Sequence, residues 1–177
     1  VYEDIYSTPG HKKYYVVSDV LENFVSKAGQ HIEVIKLEEF GNALFLDSEL
    51  QVAEKDAKKY SGQFVNSALS LSKDNSSAAI IGGGDGGVAR ELLSKGFDLI
   101  DWYELDPEVV KVCQKHLQKI CGDVKANNRV KTFWGDAFES IKKVKDSKYD
   151  KIFVDLNDDQ FCIDLAAKNM KGLKRIL

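Results

Sequence analysis

Ala79-Ile80-Ile81-Gly82-Gly83-Gly84-Asp85-Gly86-Gly87-Val88-Ala89-Arg90 runs from an apolar strand, through five glycines around one acid, into a helix-compatible segment. The abrupt loss of side chains lets a ligand approach the main chain. Asp85 decides which ligand. A loop built for phosphate would not carry a carboxylate at its centre, because like charges repel in a confined site. The loop suits a nucleoside whose tail is cationic.

Downstream of the loop, strands and helices alternate. Strands are expected at 78–81, 99–103, Val130–Trp134 and Lys151–Asp155, with helices at 88–94, 138–144 and 161–177. Pro107 sits at the first turn of a further helix to about Ile120, a favoured place for proline, with Val109, Val110, Cys113, Leu117 and Ile120 in one stripe. Apolar strands alternating with helices predict a parallel sheet covered on both faces. Upstream, His31–Leu37 alternates as a half-buried strand, Phe40-Gly41-Asn42 signals a hairpin, and strands return at 43–46 and 50–53. Residues 56–71 follow as a helix, with Ala57, Tyr60, Phe64, Ala68 and Leu71 at spacings of three and four. The first thirty residues read as strands at 1–6 and 13–17 around a Thr8-Pro9-Gly10 turn. A short helix capped by Ser18 then runs through Val25 and stops at Gly29. The expected fold class is α/β: a Rossmann-like parallel sheet with helices on both faces, preceded by a small antiparallel β element. The expected division is a β-rich subdomain at 1–54 and a catalytic domain at 55–177.

The 177 residues suit one such unit with a sizeable core. A net charge of −3 leaves no basic footprint for nucleic acid. The sequence has no uninterrupted apolar stretch long enough to span a bilayer. Cys113, Cys121 and Cys162 form an odd set without metal-ligand spacing, which fits reduced core thiols in the cytosol. The expectation is a cytoplasmic protein with no metal, membrane or nucleic-acid partner. His11, His31 and His116 read as surface or packing residues, and Lys111, Lys115 and Lys119 as a solvated helix face. The Trp102-Tyr103 pair reads as core.

In an open parallel sheet, ligands bind at the carboxyl ends of the strands. Four acids fall there: Asp85, Glu104, Asp136 and Asp155. A helix cap or a solvated turn accounts for any one, but four in succession point to a site. Glu104 lies about twenty residues past the loop, where an acid accepts hydrogen bonds from a ribose diol. Gly82, Gly84 and Gly87 also fit a dinucleotide fingerprint, but Asp85 opposes a pyrophosphate. Asp136 with Ala137 suits an adenine amino group. A sulfonium nucleoside of the S-adenosylmethionine type fits better. Asp85 disfavours the carboxylate of the intact molecule and favours the decarboxylated form, whose transferable group is an aminopropyl chain.

Residues 80–88, Glu104-Leu105-Asp106, Gly135-Asp136-Ala137 and the Asp155/Asp158 pair together resemble the polyamine aminopropyltransferases, the spermidine and spermine synthases. The resemblance runs from about Gln30 to Asp158, and Leu46-Asp47, residues 51–54, Asp56 and Tyr60 are similar to the family's entry into its first long helix. It implies that Gln30, Gly82, Gly84 and Asp85 contact the donor, with Asp85 on the aminopropyl ammonium, Glu104 on the ribose and Asp136 with Ala137 on the adenine. It implies Asp155 as catalytic base with Tyr60 beside it, and Asp158, Glu49 and Gln51 around the acceptor polyamine. Decarboxylated S-adenosylmethionine would be a co-substrate, with no prosthetic group, and the molecule a homodimer.

Some positions depart from the family pattern. Ser61-Gly62 replaces the usual amide or histidine and acid after the tyrosine, and Asp159 stands where a proline is usual. Glu49, where spermine synthases carry an acid, and Cys121-Gly122-Asp123-Val124 tilt the resemblance toward spermine synthase. Two other functions stay open: methyl transfer from intact S-adenosylmethionine, and a catalytically silent binding homologue. The family's catalytic domain continues beyond a sheet of this kind. The resemblance therefore implies that the 55–177 domain is C-terminally incomplete, as the mid-pattern start at Val1 implies residues upstream.

Overall fold

The computed structural model describes residues 1–4, 10–70, 74–157 and 160–177; Thr8-Pro9, Leu71, Asp158 and Asp159 lie outside them. Strands β1 (Tyr2–Glu3) and β2 (Tyr14–Tyr15) pair antiparallel. Strands β3 (Val17–Val25), β4 (His31–Leu37), β5 (Gly41–Leu46) and β6 (Glu49–Ala53) then form an antiparallel meander in chain order.

The helix expected after Ser18 is strand β3. Register shifts against β4 between Val17 and Asp19, and between Val20 and Glu22, break its two-residue alternation. The apolar positions left partly buried are Val17, Leu21 and Phe24, spaced four and three as on a helix face. Strand β4 is also not half-buried. One face packs Ile32 and Val34 toward the second half of the chain, and the other is covered by Tyr2 and Tyr15. Glu33 is buried there and accepts hydrogen bonds from the Tyr2 hydroxyl and the Asn23 amide.

The second half runs α1 (Ala57–Leu69), β7 (Ser77–Gly82), α2 (Gly87–Ser94), β8 (Leu99–Glu104), α3 (Pro107–His116), α4 (Gln118–Cys121), β9 (Val130–Trp134), α5 (Ala137–Ile141), β10 (Lys151–Asp155) and α6 (Gln160–Ile176). Its strands are parallel in the order β10-β7-β8-β9. The chain builds outward from β7 through β9, then crosses back to place β10 on the other side of β7. That reversal opens a crevice at the carboxyl ends of β7 and β10. Ala78, Ile80, Ile100, Trp102 and Phe153 pack on one face with residues of α1, α2 and α3. Ala79, Ile81 and Tyr103 pack on the other with α5 and α6. Burial from both sides is why these strands are apolar throughout.

Two helices are shorter than expected. The helix opened by Pro107 breaks at Leu117, whose φ of −120° is not helical. There the His116 carbonyl accepts the Asn42 amide of β5 at 2.8 Å instead of a helical N–H, and Leu117 turns into the core shared with the antiparallel sheet. Helix α5 ends at Ile141 because Arg175 of α6 donates to the Ile141 and Val144 carbonyls.

Candidate active site

The crevice holds a cavity of about 490 Å³. Its wall brings together Gly82, Gly84 and Asp85 after β7, Glu104 at the end of β8, Asp136 and Ala137 after β9, and Asp155 at the end of β10. Tyr60 of α1 also reaches it, as do Gln30 of the turn between β3 and β4 and Glu49 and Gln51 of β6. Asp158 lies outside the described residues.

Strand pairing sets up the loop. Gly82 is the register partner of Asp155, and the Gly83 N–H donates to the Asp155 carbonyl at 2.8 Å. Gly82 has φ +81°, and a Cβ there would fall 2.2 Å from that carbonyl oxygen. No other residue fits both the backbone and the space. A Cβ on Gly84 would meet Glu104 Oε2 at 3.0 Å and Val109 at 2.8 Å, so the bare backbone lets β8 deliver its carboxylate to the loop. On the far side, Trp102 Nε1 donates to the Gly82 carbonyl at 2.8 Å. Trp102 is core, as its sequence context suggests, but it also braces the loop, and no sequence signal marks that second task.

Asp85 Oδ1 accepts the Gly87 N–H at 2.6 Å, at the start of α2. Burial first, then the Asp155 charge and, less, that of Glu104 together push the Asp85 carboxyl up to about 7, while the Gly87 N–H works the other way. Glu104 accepts the Asp106 N–H at 2.8 Å. Burial pushes it up to about 7 as well, with the charges of Asp106 and Asp155 adding to the effect. Among the described residues, no lysine or arginine pairs with Asp85 or Glu104. A cavity ringed by acids in this state attracts a cation. Asp136 accepts the Phe138 and Glu139 N–H groups at 2.8 and 3.2 Å and so caps α5. The cap and the position in the wall coexist, since capping fixes where the acid stands.

Tyr60 is about half exposed and stacks on Phe64, which packs edge-on against Phe153. It is therefore not a core aromatic, and its hydroxyl donates to Asp155 Oδ1 at 3.0 Å. Its neighbour Ser61 points elsewhere: it is buried against Gly87, whose Cβ would lie 2.5 Å from the serine oxygen. The departure at Ser61 thus falls on the α1–α2 contact and not in the cavity wall. Cys113 and Cys121 are buried thiols, whereas Cys162 of α6 stands in the wall. Lys115 and Lys119 are not merely solvated; they pair with Glu22 and Glu54 of the β-rich part at 2.6 and 3.1 Å. Among the described residues, no group of three or more His, Cys, Asp or Glu side chains could hold a metal ion, and no helix is long and apolar enough to cross a membrane.

Comparison with known proteins gives the same fold. The profile of the spermine/spermidine synthase domain matches residues 57–173, and that of the spermidine synthase tetramerisation domain matches residues 1–54. A polyamine aminopropyltransferase of Prochlorococcus marinus (strain MIT 9312) is 41% identical over 151 residues, which are 84% of this chain and 53% of the relative. The chain thus spans about half the length of that curated relative. A spermidine synthase crystallised with the transition state analogue AdoDATO superposes with a TM-score of 0.90 at 22% identity, covering 99% of this chain and 60% of the other. The spermidine synthase of Thermotoga maritima superposes at 0.89, with the same identity and coverage. At that identity the likeness establishes the Rossmann-like transferase fold.

Proposed function

Because the chain belongs to the spermine/spermidine synthase family, we propose that it transfers an aminopropyl group from decarboxylated S-adenosylmethionine to a polyamine, releasing methylthioadenosine. The observation that carries the proposal is the trio of carboxylates set around the glycine loop. Asp155 lies against Gly83, Glu104 against Gly84, and Asp85 follows next in the chain. Asp85 receives the donor's ammonium, Glu104 the ribose hydroxyls, and Asp136 with Ala137 the adenine, while Gln30 contacts the donor from the turn between β3 and β4. The relatives named above support the same chemistry, since their names place them among polyamine aminopropyltransferases and one spermidine synthase holds AdoDATO.

The reaction follows from charge. Alkyl amines such as lysine have pKa values near 10.4, so a polyamine nitrogen arrives protonated, and only the neutral amine attacks. As its lone pair forms the new C–N bond at the methylene beside sulfur, the C–S pair returns to sulfur and leaves a neutral thioether. The amine proton passes to Asp155, which the Tyr60 hydroxyl holds in place. No acid is needed for the leaving group, and alignment of donor with acceptor supplies much of the rate. Glu49, Gln51 and Asp158 are assigned to the acceptor. Glu49 favours the longer acceptor, spermidine, over putrescine.

We also propose units 1–54 and 55–177, association of copies through residues 1–54, and a cytoplasmic location consistent with three free cysteines. A dimer or a tetramer would be separated by light scattering. The deciding experiment is release of methylthioadenosine from decarboxylated S-adenosylmethionine with putrescine or spermidine. Release with neither amine would defeat the assignment. Binding of both substrates without release would favour a silent homologue.

A further inference from the structure

The turn between β3 and β4 carries Gln30 to the cavity and is pinned at both ends. It closes on itself: the Ser26 N–H donates to the Gln30 carbonyl at 2.9 Å, the Gly29 N–H to the Ser26 carbonyl at 3.0 Å, and the Gln30 N–H to the buried Ser26 hydroxyl at 3.3 Å. Just past it, the His31 N–H donates to Asp47 Oδ1 at 2.9 Å, and the Asp47 N–H donates to the His31 carbonyl at 2.8 Å. Near its start, the Lys27 N–H donates to Glu108 Oε2, on the first turn of α3, at 2.7 Å.

Glu108 is the last carboxylate of a ladder that begins in the cavity. Glu104 Oε1 accepts the Asp106 N–H at 2.8 Å, Asp106 Oδ1 accepts the Glu108 N–H at 2.9 Å, and Glu108 accepts the Lys27 N–H. Each acid fixes the backbone that carries the next one, and the third crosses to a turn 81 positions away. Glu104 and Gln30 line the same cavity, so this short path sets the spacing between them. Lys115 and Lys119 make their ion pairs with Glu22 and Glu54 about two turns or more further along the helices. Lys27 is exposed, so without Glu108 its N–H would bond to water at little cost in stability. What the carboxylate adds is placement.

We propose that Glu108 is a positioning residue for donor binding: through the Lys27 N–H it fixes the turn that presents Gln30, in register with Glu104. The proposal rests on the donor being decarboxylated S-adenosylmethionine, and it gives a task to a residue that stands outside the cavity wall. Glu108 acts here as a hydrogen-bond acceptor, so a side-chain amide at the same place can do the same work.

The test is calorimetric binding of decarboxylated S-adenosylmethionine, without amine, to the whole chain and to Glu108→Ala, Glu108→Gln, Gln30→Ala and the Glu108→Ala/Gln30→Ala double variant, alongside thermal melts. Glu108 is partly exposed, so its variants should fold. Glu108→Ala should weaken binding about fivefold, the scale of one net hydrogen bond, and no more than Gln30→Ala does. Glu108→Gln keeps an oxygen for Lys27 and should bind within about twofold of the unaltered chain. The double variant should be no weaker than Gln30→Ala, because both changes act on one contact. Unchanged binding in Glu108→Ala, with only the melting temperature lowered, would overturn the proposal, as would losses that add in the double variant. A Glu108→Gln variant as weak as Glu108→Ala would also overturn it, by placing the effect in the charge at the helix start. If the unaltered chain does not bind the donor at all, the donor assignment falls and takes the proposal with it.

Discussion

The hydroxyl of Tyr60 donates to Asp155 Oδ1 across 3.0 Å, although the two residues stand 95 positions apart in sequence. One is on helix α1 and the other ends strand β10. The bond closes the cavity between them and holds the proposed base at the mouth of the glycine loop. Replacing Asp155 by Asn should lower kcat by about 10²–10⁴, the usual worth of a general base. Tyr60→Phe, which removes only the orienting donor, should cost about tenfold or less. Steady-state rates of methylthioadenosine release measure both, and an Asp155→Asn variant at full activity would refute the base assignment.

Donor choice is expected to reside in Asp85. Asp85→Asn should weaken decarboxylated S-adenosylmethionine by tenfold or more while leaving the intact, carboxylated molecule unchanged or bound more tightly. Calorimetric titration with each donor gives the ratio. Unaltered protein that prefers the intact molecule would favour the methyltransferase alternative.

Protonation gives a second handle on the same residue. The folded Asp85 carboxyl is raised to about 7 from an ordinary value of 3.8, chiefly by burial and then by Asp155. The native state therefore holds a proton that the unfolded chain has already released between about pH 4 and 7. Stability from this group is full below pH 4 and is lost as pH rises to 7. Glu104, raised to about 7 as well, acts in the same direction. In ligand-free melts, the fall in stability across this window should be smaller in Asp85→Asn than in the unaltered protein. A cationic donor needs the ionised carboxylate, so its affinity should rise from pH 6 to pH 8. An affinity flat across that interval would mean that Asp85 does not face the ammonium.

Glycine substitutions separate architecture from binding. Gly82→Ala puts a Cβ 2.2 Å from the Asp155 carbonyl oxygen at φ +81°, and should cost about 1–3 kcal/mol or prevent folding. Gly84→Ala drives instead against Glu104 Oε2 and Val109. It should damage donor affinity more than stability. Denaturant midpoints and donor titrations distinguish the two.

Acceptor length tests Glu49. If its carboxylate takes the far ammonium of a longer polyamine, Glu49→Gln should raise the KM for spermidine several-fold and leave that for putrescine nearly unchanged. Equal effects on both would remove Glu49 from the selection of acceptor.

The residues proposed to carry chemistry, which the structure gathers in one cavity wall, were legible because their meaning is local. Five glycines around Asp85 after an apolar strand specify a bare loop at a strand end, and the acids at 104, 136 and 155 follow from counting strands. The carboxylates act through charge, and charge can be read from residue type. What escaped depends on partners far along the chain. Strand β3 looks helical until its two register shifts against β4 are seen. The long helix after Pro107 breaks where Asn42 takes the His116 carbonyl. Trp102 braces the loop through its indole N–H, yet in sequence it reads only as core. Local sequence, through backbone freedom and side-chain charge, determined the glycine–acid loop and so the donor proposed for it. Only the tertiary fold decided which buried hydrogen bonds form, because each needs two residues that β-pairing and helix packing bring together.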